Sequence, residues 1–231
     1  MINRSFKDFK KKHQKKINQV IYSSISVENE NFLINLINNF FNVKNSFVFE
    51  SVEKGKIRGR YTIFGKDPDK IWEFNNNNAY SISSQKKRKI SGSPEKIIEK
   101  IIESFRFKIP KTLPPISSII SGFFSYDIIR YIENIPNKCK NDLNLPDVRL
   151  IRPVKLIIYD NLKKKIYFIF NCFKDQKIKN YNKKFNYIKK EIKNLKKLII
   201  LKENIIMTVA QPSKLIANEW NKAFGSGLIS L

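Results

Sequence analysis

The chain has 231 residues, of which 42% are hydrophobic and 13% aromatic, a composition that excludes a wholly disordered protein and allows one or two folded domains. Its 45 lysine and arginine residues outnumber its 20 acidic residues, and the resulting formal charge of +25 is typical of proteins that bind nucleic acid or an anionic membrane. The lysines are spread along the whole chain, however, and the abundance of Lys, Asn, Ile, Phe and Tyr is what AT-biased coding produces in any protein. We therefore favour compositional drift over specific nucleic-acid binding.

The two cysteines, Cys139 and Cys172, lie far apart and fit no metal-ligand spacing. They are interpreted as reduced thiols in a cytoplasmic protein. No apolar run approaches the roughly 18 residues of a membrane span, and no apolar segment of the kind found in a secretory signal follows the basic N-terminus. We expect a cytoplasmic protein with no metal site and no membrane partner.

The first 45 residues predict a helix, a strand and a second helix. Residues 1–18 are basic and polar and predict a frayed helix, whose His13, the only histidine, is expected at the solvated surface. Val20–Ser24 is a candidate strand. A helix beginning at Ser26 has acidic residues in its first turn, which suits the helix dipole. Its apolar face comprises Leu33, Leu36, Ile37, Phe40 and Phe41.

The next stretch predicts a β-hairpin. Two runs of strand-forming residues, Ser46–Val52 and Arg60–Phe64, flank the polar, glycine-containing connection Glu53–Gly59, which is longer than a two-residue turn. Glu50 and Ser51 lie side by side on a mostly apolar strand, where polar groups need a partner or a ligand. They can also face solvent or cap a turn, and the pattern alone favours that simpler interpretation.

After the hairpin, Asp67–Asp69 predicts a turn, followed by a short strand at Lys70–Phe74 and a returning strand at Ala79–Ser83. The basic segment 84–92 is expected to be mobile. A helix begins at Ser93, since a serine N-cap, a proline and an acidic residue follow one another there. Its expected buried face comprises Ile97, Ile98, Ile101, Ile102 and Phe105.

The second half of the chain begins with Ile119–Phe124, which predicts a buried strand. Asp127 follows it and fits a helix N-cap at least as well as a catalytic carboxylate. Val154–Tyr159 and Ile166–Phe170 predict a second hairpin. Lys177–Glu203 predicts a long basic helix, whose apolar residues are spaced three and four apart. We expect that helix to dock on a sheet, although its stripe would also suit a coiled coil.

The common catalytic motifs are missing from the sequence. It contains no P-loop, no G-x-G-x-x-G after a strand, no H-E-x-x-H, no Cys/His cluster and no G-x-S-x-G. Carboxylate pairs occur only at ordinary surface spacings. The residues alone therefore indicate a basic α+β domain without a catalytic residue, whose hairpin suits a small polar ligand.

Four blocks then follow one another: S-F-V-F-E-S-V-E-K-G-K-I-R-G-R-Y-T-I-F-G-K-D-P-D-K-I-W (Ser46–Trp72), L-P-P-I-S-S-I-I-S-G-F-F-S-Y-D-I-I-R (Leu113–Arg130), N-L-P-D-V-R-L-I-R-P (Asn144–Pro153) and Val154–Phe170. In this order they resemble the N-terminal region of anthranilate synthase component I, the chorismate-using enzyme of tryptophan synthesis. The resemblance covers about residues 6–200. It implies an α+β fold, an antiparallel sheet packed with helices, as a partial version of the fold of chorismate-utilising enzymes.

The resemblance also implies a ligand site on the first hairpin. In the family a Leu-Leu-Glu-Ser motif helps to form the allosteric site for L-tryptophan, and this motif corresponds to Val48–Ser51. Ser51 matches the serine that contacts the ligand, and its hydroxyl can donate to a carboxylate and accept from an ammonium group. Glu50 and Phe49 complete the candidate site, with Phe49 standing where leucine is usual and adding bulk near the indole. The same block supplies three residues with supporting roles, Arg58, Arg60 and Tyr61.

The family's chorismate-binding half, with its magnesium-ligating glutamates, should follow after about residue 205 but is absent. We expect residues 1–204 to form the N-terminal domain of a component I. Residues 205–231 match nothing in the family and are expected to be a truncated or frameshifted tail. The implied role is a regulatory and scaffold region that is inactive by itself.

In the full family enzyme, chorismate and ammonia give anthranilate and pyruvate with Mg²⁺, and a glutamine amidotransferase subunit, component II, supplies the ammonia. We expect this chain alone to bind no cofactor, no nucleic acid and L-tryptophan only weakly or not at all. Three alternatives remain: a fragment of the sister enzyme aminodeoxychorismate synthase component I, a free-standing tryptophan sensor, and a basic nucleic-acid-binding protein without catalysis.

Overall fold

The structure, a computed structural model, describes residues 2–28, 30, 32–33, 36–37, 43–50, 59–105, 107–136 and 144–206. These residues form an antiparallel sheet with helices packed on it, which confirms the predicted α+β fold. The strands are β1 (Gln19–Ser26), β2 (Phe47–Phe49), β3 (Tyr61–Asn75), β4 (Asn78–Ser83), β5 (Lys86–Ile90), β6 (Ser121–Phe124), β7 (Val148–Asp160) and β8 (Lys165–Cys172). The helices are α1 (Phe6–Gln14), α2 (Pro94–Ser104), a 3₁₀ helix (Tyr126–Tyr131) and α3 (Tyr181–Ile206).

The sheet is organised around β7. Its strand order is β1–β8–β7–β3–β4–β5, with β2 added to β3 and β6 added to β7, and each of these pairs is antiparallel. β3 pairs with β7 from Tyr61 opposite Asp160 to Phe74 opposite Val148. On its other side β7 pairs with β8 and, nearer its start, with β6. All of its 13 residues except Arg149 are therefore buried.

The predicted turn at Asp67–Asp69 is wrong, because this segment lies inside β3. The register with β7 shifts between Pro68 and Lys70, which marks a β-bulge, and Asp67 has a φ of +53°. A bulge accommodates proline because the strand ladder does not need an N–H donor there. Proline and aspartate favour turns locally, but pairing with β7 continues on both sides of the bulge and keeps the chain extended.

The basic segment 84–92, expected to be mobile, instead contains β5, which pairs with β4. Two-residue turns at Asn76–Asn77 and Ser84–Gln85 join the three strands, and all four turn residues have positive φ. Such turns match the twist of a hairpin. The charged side chains of β5 are exposed at the outer edge of the sheet, where they hinder pairing with another chain. The high charge thus marks an edge strand.

α3 docks on one face of the sheet, as predicted. Its buried residues Phe185, Ile188, Ile192 and Ile199 belong to the largest apolar cluster, together with Phe9 of α1 and residues of the central strands. α3 begins later than predicted, at Tyr181. Asn180 is its N-cap, since the Asn180 side-chain oxygen accepts a 2.9 Å hydrogen bond from the N–H of Lys183.

The predicted helix after Ser26 is described only in part. Residues 32–33 and 36–37 are helical, and Leu33 and Leu36 are buried in the largest cluster as expected. Ile37 packs at the margin of that cluster. The remaining predicted members of the apolar face, Phe40 and Phe41, lie outside the described residues.

α2 begins where the sequence predicts, with Ser93 before Pro94. Ile97 and Ile101, one turn apart, are buried in the apolar cluster that also contains Trp72. Ile102 was expected on the same buried face but is 64% exposed, because α2 contacts the sheet through a narrower stripe than its five apolar residues suggest.

β6 is not the buried strand that was predicted. Only Ser121 is buried, whereas Phe123 and Phe124 are exposed, since β6 pairs with β7 alone among the described strands. The backbones of β6 and β7 lie so close together at Gly122 that only glycine fits there, because a Cβ would lie 1.9 Å from the carbonyl oxygen of Arg149.

Asp127 is not the N-cap of the 3₁₀ helix that follows β6. Ser125 occupies the N-cap position, and Asp127 lies in the first turn. The Asp127 carboxylate accepts a 2.8 Å hydrogen bond from Nε of Arg130, so it forms a local surface ion pair.

His13 is buried, contrary to the expectation of a solvated side chain, with only 5% of its surface exposed. Its Nδ1 lies 3.0 Å from the hydroxyl of Tyr181, and the two rings pack edge to face. His13 follows Phe9 by four residues, so both side chains share the face of α1 that packs on α3. Burial lowers the pKa of His13 because it disfavours the charged imidazolium. The surrounding lysines predicted an exposed His13, but the packing of α1 on α3 buries its side chain.

We expect protonation of His13 to destabilise the fold. Because its folded-state pKa lies below the usual 6.5, the unfolded chain binds the proton first as the pH falls. The free energy of unfolding is therefore highest above about pH 6.5, where His13 is neutral in both states, and it falls as the pH decreases below that value. Urea unfolding at about pH 7.5 and about pH 5.5 should show this loss, and H13Q should show a smaller change over the same interval. Equal pH dependence in the two proteins would contradict the assignment.

Candidate functional site

The hairpin predicted between residues 46 and 64 is present. β2 pairs antiparallel with the start of β3, with Phe47 opposite Gly65, Val48 opposite Phe64 and Phe49 opposite Ile63. Residues 51–58, which end the predicted first strand and form most of the predicted connection Glu53–Gly59, lie outside the described residues. The two strands nevertheless bring residues 49–50 and 60–61 to the same end of the hairpin.

Gly65 allows the ring of Phe47 to lie across β3. A Cβ on Gly65 would be 2.2 Å from Cε1 and Cζ of Phe47, which is too close for any side chain. Phe47 therefore covers a glycine on the neighbouring strand, and it packs at the margin of the apolar cluster on that face, together with Tyr61 and Ile63. Local sequence does not reveal this contact, because it depends on the register between the strands.

Phe49 is half-exposed at the end of β2. Its side chain is 48% exposed, and its ring centroid lies 4.8 Å from that of Phe47. Val48 packs against the largest apolar cluster, on the opposite face of the sheet. The rings of Phe47 and Phe49 thus form a small apolar surface, which we call the Phe49 ledge. A flat aromatic ligand can stack on such a surface.

The polar part of the candidate site follows the ledge directly. Glu50 is exposed and lies just beyond the end of β2. Ser51 and Arg58 lie outside the described residues, so the roles assigned to them stay predictions. The described residues therefore supply an aromatic surface and one adjacent carboxylate.

Arg60 is held by Asp160 at the turn between β7 and β8. Its Nε and Nη2 donate to the two carboxylate oxygens of Asp160 at 2.9 and 2.8 Å. Asp160 is almost completely buried and also accepts from the backbone N–H groups of Leu162 and Lys163. Although burial opposes its ionisation, the hydrogen bonds from Arg60 and Lys163 hold the pKa of Asp160 below its usual value. The Arg60–Asp160 ion pair thus links the β2–β3 hairpin to the β7–β8 hairpin.

Tyr61 lies beside this ion pair. The guanidinium carbon of Arg60 is 4.9 Å from the centre of the Tyr61 ring, a cation–π distance. Burial, reinforced by the negative charge of Asp160, raises the pKa of the Tyr61 hydroxyl. Tyr61 is therefore a neutral residue that packs on the same face as the Phe49 ledge.

A second polar cluster, which the sequence patterns do not predict, lies at the β3 bulge. Arg152 of β7 is buried and donates to both carboxylate oxygens of Asp69, at 2.7 and 2.8 Å. It also donates to Asp175 at 2.9 Å, and Lys70 pairs with Asp175 at 2.5 Å. Although burial opposes its charge, the bonds to Asp69 and Asp175 raise the pKa of Arg152.

The sequence carried only a weak signal for this cluster, the adjacent opposite charges Asp69 and Lys70. Their partners are far away in the chain, since Arg152 follows Asp69 by 83 residues and Asp175 follows Lys70 by 105. Pairing across such separations is decided by the fold and leaves no local pattern.

Within the part of the chain that the structure describes, no three His, Cys, Asp or Glu side chains are grouped so as to hold a metal ion. Of the helices described there, none has the length and hydropathy needed to cross a membrane. Cys172 is a free thiol, as predicted. It is also buried, and burial raises its pKa to about 12. Cys139 lies outside the described residues.

The chain is similar to anthranilate synthase component 1 from several organisms. It is 29% identical to that of Cereibacter sphaeroides over 164 residues, which are 69% of this chain and 33% of the relative. It is 34% identical to that of Acetivibrio thermocellus over 139 residues, which are 60% of this chain and 28% of the relative. Anthranilate synthase component I from Streptococcus pneumoniae TIGR4 aligns in structure with a TM-score of 0.48 and 17% identity, over 81% of this chain and 38% of that chain. No protein-family model matches the chain.

The similarities in sequence relate this α+β chain to a subunit of a biosynthetic enzyme. They agree with the resemblance of the four sequence blocks to the N-terminal region of anthranilate synthase component I. The chain spans about a third of the length of the curated relatives it matches.

We expect the Asp160 carboxylate to be important for stability. D160A removes the acceptor of two hydrogen bonds from Arg60 and two from backbone N–H groups, and it should lower the free energy of unfolding by about 2 kcal/mol. Chemical denaturation measures this change. D127A is the matched control, because the exposed pair with Arg130 should contribute less than about 1 kcal/mol. Equal losses in the two variants would contradict the assignment.

Proposed function

We propose that this chain forms a regulatory and scaffold region of an anthranilate synthase component I. The observation that carries the proposal is the sequence similarity to anthranilate synthase component 1 from two organisms, over 164 and 139 residues. In this proposal the sheet around β7 is the scaffold, and the β2–β3 hairpin is the regulatory site.

The full enzyme would convert chorismate and ammonia to anthranilate and pyruvate, with the ammonia supplied by a glutamine amidotransferase subunit, component II. The reaction would require Mg²⁺. The described residues contain no cluster of carboxylates suited to that ion. We therefore assign the metal ligands and the catalytic residues to the part of the enzyme that this chain, with about a third of its relatives' length, does not include.

The ligand proposed for the hairpin is L-tryptophan, acting as the feedback inhibitor. The Phe49 ledge offers an aromatic surface for the indole ring. The hydroxyl of Ser51 would donate to the carboxylate of the amino acid and accept from its ammonium group, and Glu50 would attract that ammonium. Arg58, Arg60 and Tyr61 would support the hairpin, with Arg60 acting through its ion pair with Asp160.

The names of the two relatives favour anthranilate synthase over its sister enzyme, aminodeoxychorismate synthase component I. We also propose that the chain acts in the cytoplasm. The unpaired thiol of Cys172 supports a reducing compartment, where disulfides rarely form.

We expect this chain to bind L-tryptophan with a dissociation constant on the order of 1 mM, because the hairpin forms one wall of the proposed pocket. S51A should weaken the binding about tenfold or more, since a hydrogen bond to a charged group contributes roughly 1.5–3 kcal/mol. Saturation-transfer NMR of the indole protons measures binding in this range.

S91A is the matched control for this experiment, because Ser91 is exposed between β5 and α2, away from the hairpin. Its saturation-transfer signal should equal that of the native chain. The tryptophan proposal fails if the native chain gives no signal, or if S51A and S91A behave alike.

We expect the chain by itself to form no anthranilate from chorismate, ammonium and Mg²⁺. The reason is that the proposed metal ligands and catalytic residues belong to the remainder of the enzyme. Anthranilate fluorescence measures the reaction, with the Acetivibrio thermocellus relative assayed in parallel as a positive control. Mg²⁺-dependent formation of anthranilate by this chain would refute the assignment of catalysis to the missing part.

A further inference from the structure

A groove of about 1020 Å³ opens between the β4–β5 hairpin and the start of α3. One wall is formed by Ser81, Ser84, Lys86 and Arg88 of the hairpin, and the other by residues 177–187. The ion-pair cluster of Arg152 and Asp69 forms its floor. We call this feature the basic groove. It is separate from the Phe49 ledge, whose residues do not line it.

Positive charge is concentrated in the basic groove. Eight cationic residues line it, whereas the only carboxylates among the lining residues belong to Asp69 and Asp175. Both carboxylates are already bonded to Arg152, and Asp175 also to Lys70. The other six cations form no ion pair with any residue that the structure describes, and they are Lys86, Arg88, Lys177, Lys179, Lys183 and Lys184. The two carboxylates of the groove thus leave six of its eight cations without an acidic partner among the described residues.

The groove also contains neutral groups that can bind an anion. Ser81 and Ser84 line the hairpin wall, and a serine hydroxyl can donate a hydrogen bond to an anion. The N-terminus of α3, a helix of 26 residues, contributes Lys183 and Lys184 of its first turns to the opposite wall. The positive end of the helix dipole therefore adds to the field of the lysines.

The arrangement differs from what compositional drift alone would produce. Drift scatters lysines evenly, and the charged edge of β5 has a separate explanation in the protection of the sheet edge. That explanation does not extend to Lys177–Lys184, which lies about 90 residues further along the chain and faces the same space. Like charges facing one another across a groove repel, so the fold gains stability when an anion neutralises them.

We propose that the basic groove binds a compact anion with several phosphate groups, such as a polyphosphate or a nucleoside triphosphate. A multiply charged ligand is required, because a single carboxylate or phosphate cannot neutralise six cations. The volume of about 1020 Å³ is at the upper end of the range for small-ligand sites. A nucleic-acid strand fits less well, because strand-binding grooves stack bases on several aromatic residues, and Tyr187 is the only aromatic residue among those lining this one.

Tripolyphosphate titrated into this chain in a calorimeter, at about 0.15 M salt, tests the proposal. We expect saturable binding with one site per chain. The triple variant K86Q/R88Q/K183Q should bind at least about tenfold more weakly, because it removes charge from both walls. The control K7Q/K10Q/K100Q lowers the net charge by the same amount at exposed positions on α1 and α2, and it should keep the native affinity. Thermal melts establish that both variants are folded.

The outcomes distinguish specific binding in the basic groove from nonspecific electrostatic binding of an anion to a basic protein. Equal weakening in the two triple variants, or binding without saturation, would overturn the proposal. A second arm adds a single-stranded oligothymidylate. In one outcome the oligonucleotide binds the native chain more tightly than tripolyphosphate, displaces tripolyphosphate, and binds K86Q/R88Q/K183Q more weakly than the native chain. That combined result would show that the groove binds a nucleic-acid strand, and the proposal of a compact ligand would be wrong. Because neither arm depends on tryptophan or chorismate, failure here leaves the proposed enzyme family untouched.

Discussion

The pairing of β3 with β7 is the constraint on which the rest of the structure depends. It runs from Tyr61 opposite Asp160 to Phe74 opposite Val148 and places the longest strands side by side at the centre of the sheet. Every other described strand is attached to one of these two, directly or through a single intermediate partner. The helices then cover the faces that this pairing creates, since an apolar sheet face must be buried against another layer. The position of the β2–β3 hairpin is also set by this pairing, because β2 is bonded only to β3 among the described strands.

The same pairing forces charged residues into the interior of the sheet. Arg152 and Lys155 of β7 are both buried, and an unpaired buried cation would cost several kcal/mol. The bulge Asp67–Asp69 solves this problem, because it directs Asp67 to Lys155 at 2.7 Å and Asp69 to Arg152 at 2.7 Å. Glu191 of α3 gives Lys155 its second carboxylate at 2.6 Å. The irregular point of β3 therefore allows the most buried strand to carry basic residues, and the Arg152 pair becomes the floor of the basic groove.

Much of the fold could be predicted because its patterns are local. The hairpins, the start of α2 and the stripe of α3 follow from alternation, turn residues and helical spacing over a few residues. Three of the errors share one cause. Asp67–Asp69, segment 84–92 and His13 each have a composition typical of exposed loops or surfaces, yet each has a partner far along the chain or on a neighbouring strand. A similar limit applies to the candidate site: family resemblance pointed to Phe49, but nothing in the sequence linked Arg60 to Asp160, 100 residues away.

The sequence by itself determined the α+β class, the approximate location of most strands and helices, and the resemblance to anthranilate synthase component I, because these depend on short periodic patterns and on the order of four motif blocks. Only the tertiary structure decided which polar and charged residues are buried, where Phe49 is left exposed, and how two basic segments face each other across one groove. The physical reason is that burial and charge pairing depend on distances in space, and in this chain the residues concerned are far apart in the sequence, by 83 residues for Asp69 and Arg152 and by 168 for His13 and Tyr181.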